Sequence, residues 1–366
     1  MSLKSMKKKV GVHRLAEQAN VSIGTVDRAL HGRPGINEKT RERVLRIARE
    51  LGYEPNLAAR ALSRSRSQIR VGVCVPREIH FFYDQLWEGI YDEVKRYRDY
   101  GVDFIFRPVP ELGRGETPEL KKILTSNVQG VVLTAGRPAE ITPVINAAEE
   151  KGVRVVCVST DAPESKRSSI VCVEPRLNGL LAGELMGKFV PGKSKVAVIT
   201  GMLRTENHSK KTEGFAESFP QHCIGGQVVE VIEAHEDPSE SFRKTSALLA
   251  RLPDLAGIYV NTVNCLPVCK ALEARNRVNR VKLITTDLFQ EMVPYFESQT
   301  ICASIYQRPY QQGRSALSTL VEHLAHNAPL TSTYLNPSIV LQSNLHLFRE
   351  VRRQQKGAPI MTAAAS

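Results

Sequence analysis

The sequence predicts a small all-α helix-turn-helix headpiece followed by a two-lobed α/β domain built on parallel sheets. Three observations carry that prediction. The first 56 residues hold three short amphipathic helical patterns and no strand-like run. From Ile69 onward, β-branched runs alternate with helical stretches, as parallel strands joined by covering helices do. The alternation continues for about 280 residues, more than one sheet usually holds, so the domain divides into two lobes.

In the headpiece, Val12, Leu15, Ala16 and Ala19 recur at helical spacing, Asn20 and Val21 interrupt, and Val26, Ala29 and Leu30 resume the stripe. Ser22 is placed to accept from the free amides of the second helix, whose positive end can then face a phosphate. Ile23, Gly24, Asp27 and Arg28 fall on the open face, the arrangement that offers side chains to a major groove. Any two packed amphipathic helices share this periodicity, so the continuation matters. Gly32-Arg33-Pro34-Gly35 forms a loop, and Asn37 caps a third helix. That helix, Thr40 to Leu51, carries Val44, Ile47, Ala48 and Leu51 on one stripe before Gly52 stops it.

Charge supports a polyanionic partner. The net charge is +12, and residues 1–70 hold 16 Lys and Arg against 6 Asp and Glu, so +10 of it lies in the first fifth of the chain. Lys4 and Lys7 to Lys9 read equally well as a basic tag, but the arginines spread over the helices do not. The basic start is followed by no apolar run, so a signal peptide is not expected; no run of 18 apolar residues suggests a membrane span. Seven cysteines, an odd number without a framework, suit a reducing, cytoplasmic setting. Cys265 and Cys269 share a helix without a companion His or Cys set, so no structural zinc is expected, and no cofactor is implied.

Residues 57–68 read as a hinge helix and linker ending in SRSRS. Leu57 to Leu62 is too short to stand alone, because isolated helices under about 12 residues are marginal, and should fold on DNA beside its dimer mate. Ten strands follow: IRVGVCV, VDFIFRPV, VQGVVLTA, VRVVCVS, SIVCV, KVAVIT, GGQVVEVIEA, LAGIYVN, VKLITTD and ICASIYQ. Between them lie helical stretches at Leu86 to Tyr100, Ile141 to Lys151, Leu177 to Phe189, Lys210 to Phe219 and Ser239 to Leu252. The lobes are expected at 69–172 with 303–335, and at 173–302 with 336–350, with a ligand in the cleft beyond the carboxyl ends of the strands. Residues 351–366 read as a disordered tail lacking the leucine heptads that join dimers into tetramers.

One motif misleads. Gly187 to Ser194, GKFVPGKS, matches the phosphate-loop pattern, but a helix precedes it and a strand follows, the inverse of a working loop, and Pro191 removes an amide. His323 and His326 lack a third ligand, and no Ser/His/Asp spacing suggests catalysis. The chain is not expected to be an enzyme.

The stretches LAEQANVS..TV.R, TRERV..IA.ELGY.PN and LAARAL stand in order between Val12 and Leu62. This segment resembles the DNA-binding headpiece of the lactose/galactose-repressor family. The resemblance implies a DNA-contacting set of Ser22, Ile23, Gly24, Thr25, Asp27, Arg28, His31, Asn37, Asn56, Ala59 and Leu62. Ile23, Gly24 and Arg28 stand at base-reading positions and Leu62 at the minor-groove wedge. Gly11 and Asp27 depart from the family pattern, so the operator sequence does not carry over.

Residues 69 to 348 resemble type I periplasmic sugar-binding proteins, most clearly at STDAPESKR, LAGELMGKF, TTD and SIYQRPYQQG. The resemblance implies that Asp161, Asn207, Lys211, Asn261, Asp287 and Gln307 contact an effector, with Phe82 or Tyr83 stacking on an apolar ring face. Lys211 replaces an Arg, which weakens a bidentate contact, and Glu174-Pro175 replaces an Asp-Asn pair. Any single Asp or Asn after a strand can instead cap the next helix. The implied function is a ligand-responsive transcription regulator, a repressor of sugar or polyol metabolism genes. It would bind a near-palindromic operator on double-stranded DNA as a homodimer and be released by a small carbohydrate. The alternatives are a sugar-binding transport receptor, and a co-repressed or activating regulator with a non-sugar effector.

Overall fold

The computed structural model describes residues 12–30, 35–51, 69–98 and 101–347. They fall into a helical headpiece and, from Ile69, a larger α/β unit.

The headpiece holds α1 (Val12–Gln18), α2 (Ile23–Leu30) and α3 (Glu38–Glu50). Asn20, which tolerates left-handed backbone, makes the turn between the first two at φ 49°. Ser22 caps α2 by accepting from the Thr25 amide at 3.1 Å, and Asn37 caps α3 by accepting from the Lys39 amide at 2.9 Å. The apolar stripes meet in one small core of Leu15, Ala16, Ala19, Val26, Ala29, Val44 and Ala48. The hinge at 57–68 and the tail at 351–366 lie outside the described residues.

The α/β unit contains two six-stranded sheets. The first runs β11-β5-β4-β3-β1-β2, with β1 (Arg70–Cys74), β2 (Asp103–Phe106), β3 (Gly130–Leu133), β4 (Arg154–Val158), β5 (Ser169–Val173) and β11 (Thr333–Leu335), all paired parallel. The second runs β12-β10-β9-β8-β6-β7, with β6 (Lys195–Thr200), β7 (Gln227–Glu233), β8 (Leu255–Val260), β9 (Lys282–Thr286), β10 (Ile301–Tyr306) and β12 (Ser338–Val340). It is parallel except for β12, which pairs antiparallel to β10. In each sheet the first strand has its successors on opposite sides, β2 and β3 beside β1, β7 and β8 beside β6. Such a switch of direction opens a crevice at the carboxyl ends.

The boundary expected at residue 303 is corrected. Strand β10 pairs with β9 and buries Ile301, Ala303 and Ile305 in the cores of the second lobe. The chain therefore re-enters the first lobe only after Tyr306. The three-residue strands β11 and β12 also lay beyond the sequence reading, being too short to show a period.

Helices pack on both faces of the sheets. In the first lobe lie α4 (Phe82–Arg98), α5 (Glu116–Leu124), α6 (Pro138–Glu150) and α12 (Pro309–His326); in the second lie α7 (Pro175–Phe189), α8 (Glu206–His222), α9 (Pro238–Arg251), α10 (Cys265–Ala274) and α11 (Val293–Glu297). Gly179, Gly183 and Gly187 stand four apart on α7, and α8 lies directly against them. A Cβ at Gly179 would come 2.1 Å from the Lys211 carbonyl oxygen, and one at Gly187 would come 2.5 Å from His222 Cβ. The first glycine of the phosphate-loop lookalike thus serves helix packing. The rest of that motif joins the end of α7 to β6, the inverted context its sequence indicated.

Candidate functional site

The glycine stripe of α7 decides where α8 lies, and α8 begins at Glu206, four residues before the expected start. Its polar first turn carries no apolar period, yet it brings Asn207, His208 and Lys211 to the mouth of the second sheet. Helix α4 likewise begins at Phe82, placing Phe82 and Tyr83 in its first turn.

These residues line one cleft of about 420 Å³, measured out to its open mouth. The first lobe supplies Ile79, Phe82 and Tyr83 after β1, Leu112 after β2, and Ser159 and Thr160 after β4. The second lobe supplies Thr205, Asn207, His208 and Lys211 after β6 and Glu236 after β7. Asn261, Thr262 and Val263 follow β8, Asp287 follows β9 and Gln307 follows β10. Every contribution follows the carboxyl end of a strand, the place for ligands in open α/β sheets.

Three lining residues, Ser159, Glu236 and Asp287, have left-handed backbone at φ 71°, 60° and 70°. Such conformations cost non-glycine residues on the order of 1 to 3 kcal/mol and gather at functional sites. The turn at Asp287 lets its own amide donate to the Ile305 carbonyl at 2.9 Å while its carboxylate faces Gln307. Asp287 Oδ2 accepts from Gln307 Nε2 at 2.9 Å and Oδ1 accepts from the Gln307 amide at 3.3 Å.

Burial shapes the charges. It pushes the Asp287 carboxyl up to about 6, with Lys211 and Gln307 opposing. It pulls Lys211 down to about 8, against the pull of Asp287 and Glu236, and raises Glu236. His208 is lowered to about 3 by burial and by the neighbouring Lys211. Its Nδ1 accepts from the Met202 amide at 3.0 Å, so the neutral ring carries its proton on Nε2, 3.3 Å from Glu236 Oε1.

The lobes are bridged across the cleft. Asn207 Nδ2 donates to the Ser159 carbonyl at 2.8 Å, and Thr205 Oγ1 donates to the Gly136 carbonyl at 2.8 Å. Nearby, Gln85 Nε2 donates to the Leu288 carbonyl at 3.0 Å, and Phe81 stacks on Phe289 with ring centroids 3.9 Å apart.

On the headpiece, α2 presents Ile23 with 43% of its surface exposed, beside exposed Ser22, Gly24 and Arg28 and half-buried Thr25. A large apolar side chain left open on a helix N-terminal turn has no use in the headpiece core. Asn37 is exposed at the start of α3. The Asp27 side chain, His31, Asn56, Ala59 and Leu62 lie outside the described residues.

Comparison with known proteins fits both parts. The model of the periplasmic binding protein domain matches residues 71–328, and that of the bacterial regulatory proteins, lacI family, matches residues 13–56. The chain belongs to the periplasmic binding protein domain family, joined to a lacI-family headpiece. It is 25% identical to catabolite control protein A of Priestia megaterium over 254 residues, 69% of this chain and 74% of the relative. The same protein of Staphylococcus epidermidis is 25% identical over 67% of this chain and 72% of the relative. Among solved structures, GanP, a glucose-galactose binding protein from Geobacillus stearothermophilus, is 27% identical with a TM-score of 0.69, covering 76% of this chain and 99% of GanP. The Caulobacter myo-inositol binding protein shares the fold at 18% identity and a TM-score of 0.73, over 78% of this chain and 98% of its own. A DNA-binding headpiece of the lacI family on this domain makes the chain a ligand-responsive transcription regulator.

The cleft of this periplasmic-binding-protein domain gathers seven of the eight residues named for it in the sequence: Phe82, Tyr83, Asn207, Lys211, Asn261, Asp287 and Gln307. Asp161 is the exception. Its two carboxylate oxygens are held by Arg167 Nε and Nη2 in a bidentate pair six residues on. With its carboxylate in that pair, Asp161 is not among the lining residues, where Ser159 and Thr160 stand instead. His208 and Glu236 were missed. Glu236 could have been found, since it closely follows the strand run GGQVVEVIEA. His208 shows itself only once α8 is placed. Among the described residues no group of three His, Cys, Asp or Glu is placed to hold a metal, and no helix is long and apolar enough to cross a membrane.

Proposed function

We propose that this regulator is a dimeric repressor of genes for the uptake or breakdown of a small sugar or sugar alcohol, which binds in the cleft and releases a near-palindromic operator. The observation that carries the reading is the convergence of two carboxylates, three amides and two aromatic rings on one cleft, in a chain that also carries the headpiece. Hydroxyl-rich ligands need acceptors and donors around their edge and apolar walls for their ring faces. The described name of GanP, a glucose-galactose binding protein, points the same way.

The headpiece would place Ile23, Gly24 and Arg28 against base edges, with Ser22, Thr25 and Asn37 near phosphates. One headpiece spans few bases, so two would read two half-sites. Effector binding would shift the lobes and pull the paired hinge segments, including Leu62, out of register. Only a ligand with unequal affinity for the two states can do this, and the coupling is typically about 1 to 3 kcal/mol.

The test is a thermal-unfolding screen of wild type and Asp287→Ala against monosaccharides, sugar alcohols, sugar acids and purines, together with operator binding. A ligand at 100 times its Kd should add about 2.7 kcal/mol of stability. We expect one sugar or polyol to shift wild type alone and to release DNA. A purine or sugar acid doing so instead would replace the carbohydrate reading, and tighter DNA binding with ligand would make it a co-repressor.

A further inference from the structure

Glu236 brings a second carboxylate into the cleft, where the cation acting on it, Lys211, is shared with Asp287. Its side chain is 9% exposed. Oε2 accepts from Thr262 Oγ1 at 2.5 Å and from Asn264 Nδ2 at 3.5 Å. Oε1 faces His208 Nε2 at 3.3 Å, but that ring is a neutral donor because its Nδ1 accepts from the Met202 amide. Gly201 makes room for the pair: a Cβ there would come 2.1 Å from Glu236 Oε1 and 2.4 Å from His208 Cε1. The cleft thus sets two carboxylates, Glu236 and Asp287, against one ammonium. That ammonium, Lys211, already donates to the Asn261 carbonyl at 3.3 Å.

A second observation is independent of charge. The amide nitrogen of Asn207 donates to the Ser159 carbonyl, and that of Asn261 donates to the His208 carbonyl and Thr212 Oγ1. These bonds fix both amide orientations. Asn207 Oδ1 and Asn261 Oδ1 are left buried and, among the described residues, without a donor. The surplus in the cleft is of acceptors and of negative charge.

From this surplus we propose that the effector is a polyhydroxylated molecule carrying a protonated amine, of the amino-sugar class, with Glu236 as the residue that selects the amine. A hydroxyl offers one donor and no charge, whereas an ammonium offers three donors and the missing positive charge. Two buried carboxylates sharing one cation are costly, so a neutral sugar leaves that cost standing. The inference rests on the carbohydrate reading above.

The test uses the full-length protein and matched pairs: glucose with glucosamine, galactose with galactosamine, and mannose with mannosamine. Each is titrated by calorimetry against wild type and Glu236→Gln. In at least one pair the amine should bind wild type about tenfold or more tightly than its neutral partner, and Glu236→Gln should remove most of that preference. If a neutral sugar binds wild type as tightly as its amine, the inference is overturned while the carbohydrate reading stands. If no member of any pair binds, the inference falls, and the wider thermal-unfolding screen decides the carbohydrate reading separately. An unchanged preference in Glu236→Gln overturns the role of Glu236. Should that variant not fold, the wild-type comparison still decides the ligand class, and Glu236→Met, which also removes the charge at similar side-chain volume, replaces it.

Discussion

The Asn207 side chain of the second lobe donates to the Ser159 carbonyl of the first at 2.8 Å, across the cleft that both residues line. The left-handed backbone of Ser159 accompanies the carbonyl that makes this bond. One amide thus joins the lobes through its nitrogen and leaves its oxygen unpaired among the described residues. On the proposed function, lobe closure and effector contact would meet in this single side chain.

Asn207→Ala should therefore weaken effector binding by about 1 to 2 kcal/mol, roughly 5- to 30-fold, since a bridging bond and a ligand acceptor go together. Scattering should show a more open α/β unit. Affinity equal to wild type would separate this residue from both roles.

Asp287 gives a pH test. Its carboxyl is raised from its ordinary 3.8 to about 6 because burial disfavours the charge. The folded protein then binds this proton more tightly than the unfolded chain does. The group's contribution to stability is complete below the unfolded pKa, near 4, and is lost as pH rises through about 6. Two pKa units correspond to about 3 kcal/mol. Asp287→Asn lacks this titration, so its melting temperature relative to wild type should climb between about pH 4 and 6.5. A difference that stays flat over that range would contradict the assignment.

Asp161 separates a structural carboxylate from a binding one. Its bidentate pair with Arg167 is partly buried. Asp161→Asn should lower the melting temperature by a few degrees, about 1 to 3 kcal/mol, because it leaves the guanidinium without its counter-charge. Effector affinity should stay within about twofold of wild type, a difference too small to represent a lost ligand bond. A loss of tenfold or more by calorimetry would return Asp161 to the site.

On the headpiece, Ile23→Ser should leave stability nearly unchanged, since Ile23 is open to solvent. Operator affinity should fall by about 1 to 3 kcal/mol, while non-specific DNA binding holds. Arg28→Ala should lower operator affinity too, and salt titrations show whether it meets a phosphate: the slope then drops by about one. Unchanged operator binding in both variants would mean that α2 does not enter the groove.

Much of this molecule was legible in the chain. The stripes of Leu15, Ala16, Val26 and Val44 face one core, as their spacing indicated. Ten β-branched runs became ten strands, because a parallel strand covered on both faces must be apolar along its length. Polar residues closely following strands, such as Asn261, Asp287 and Gln307, were visible for the same reason: the apolar run ends where the solvent-facing crevice begins.

What stayed hidden was whatever depends on which strands, helices and side chains pair in the fold. The crossing after Tyr306 was set by the pairing of β10 with β9, which periodicity cannot express. Asp161 left the site through a side-chain pair with Arg167, and His208 entered it through the packing of α8 against three glycines of α7. By itself the sequence determined the elements, the two kinds of domain and most of the polar residues in the cleft, since these follow from local spacing and from burial of apolar faces. Tertiary structure alone decided which charges stand together without compensation. The balance of Glu236, Asp287 and Lys211 depends on distance and desolvation, and neither exists until the two lobes are folded around the cleft.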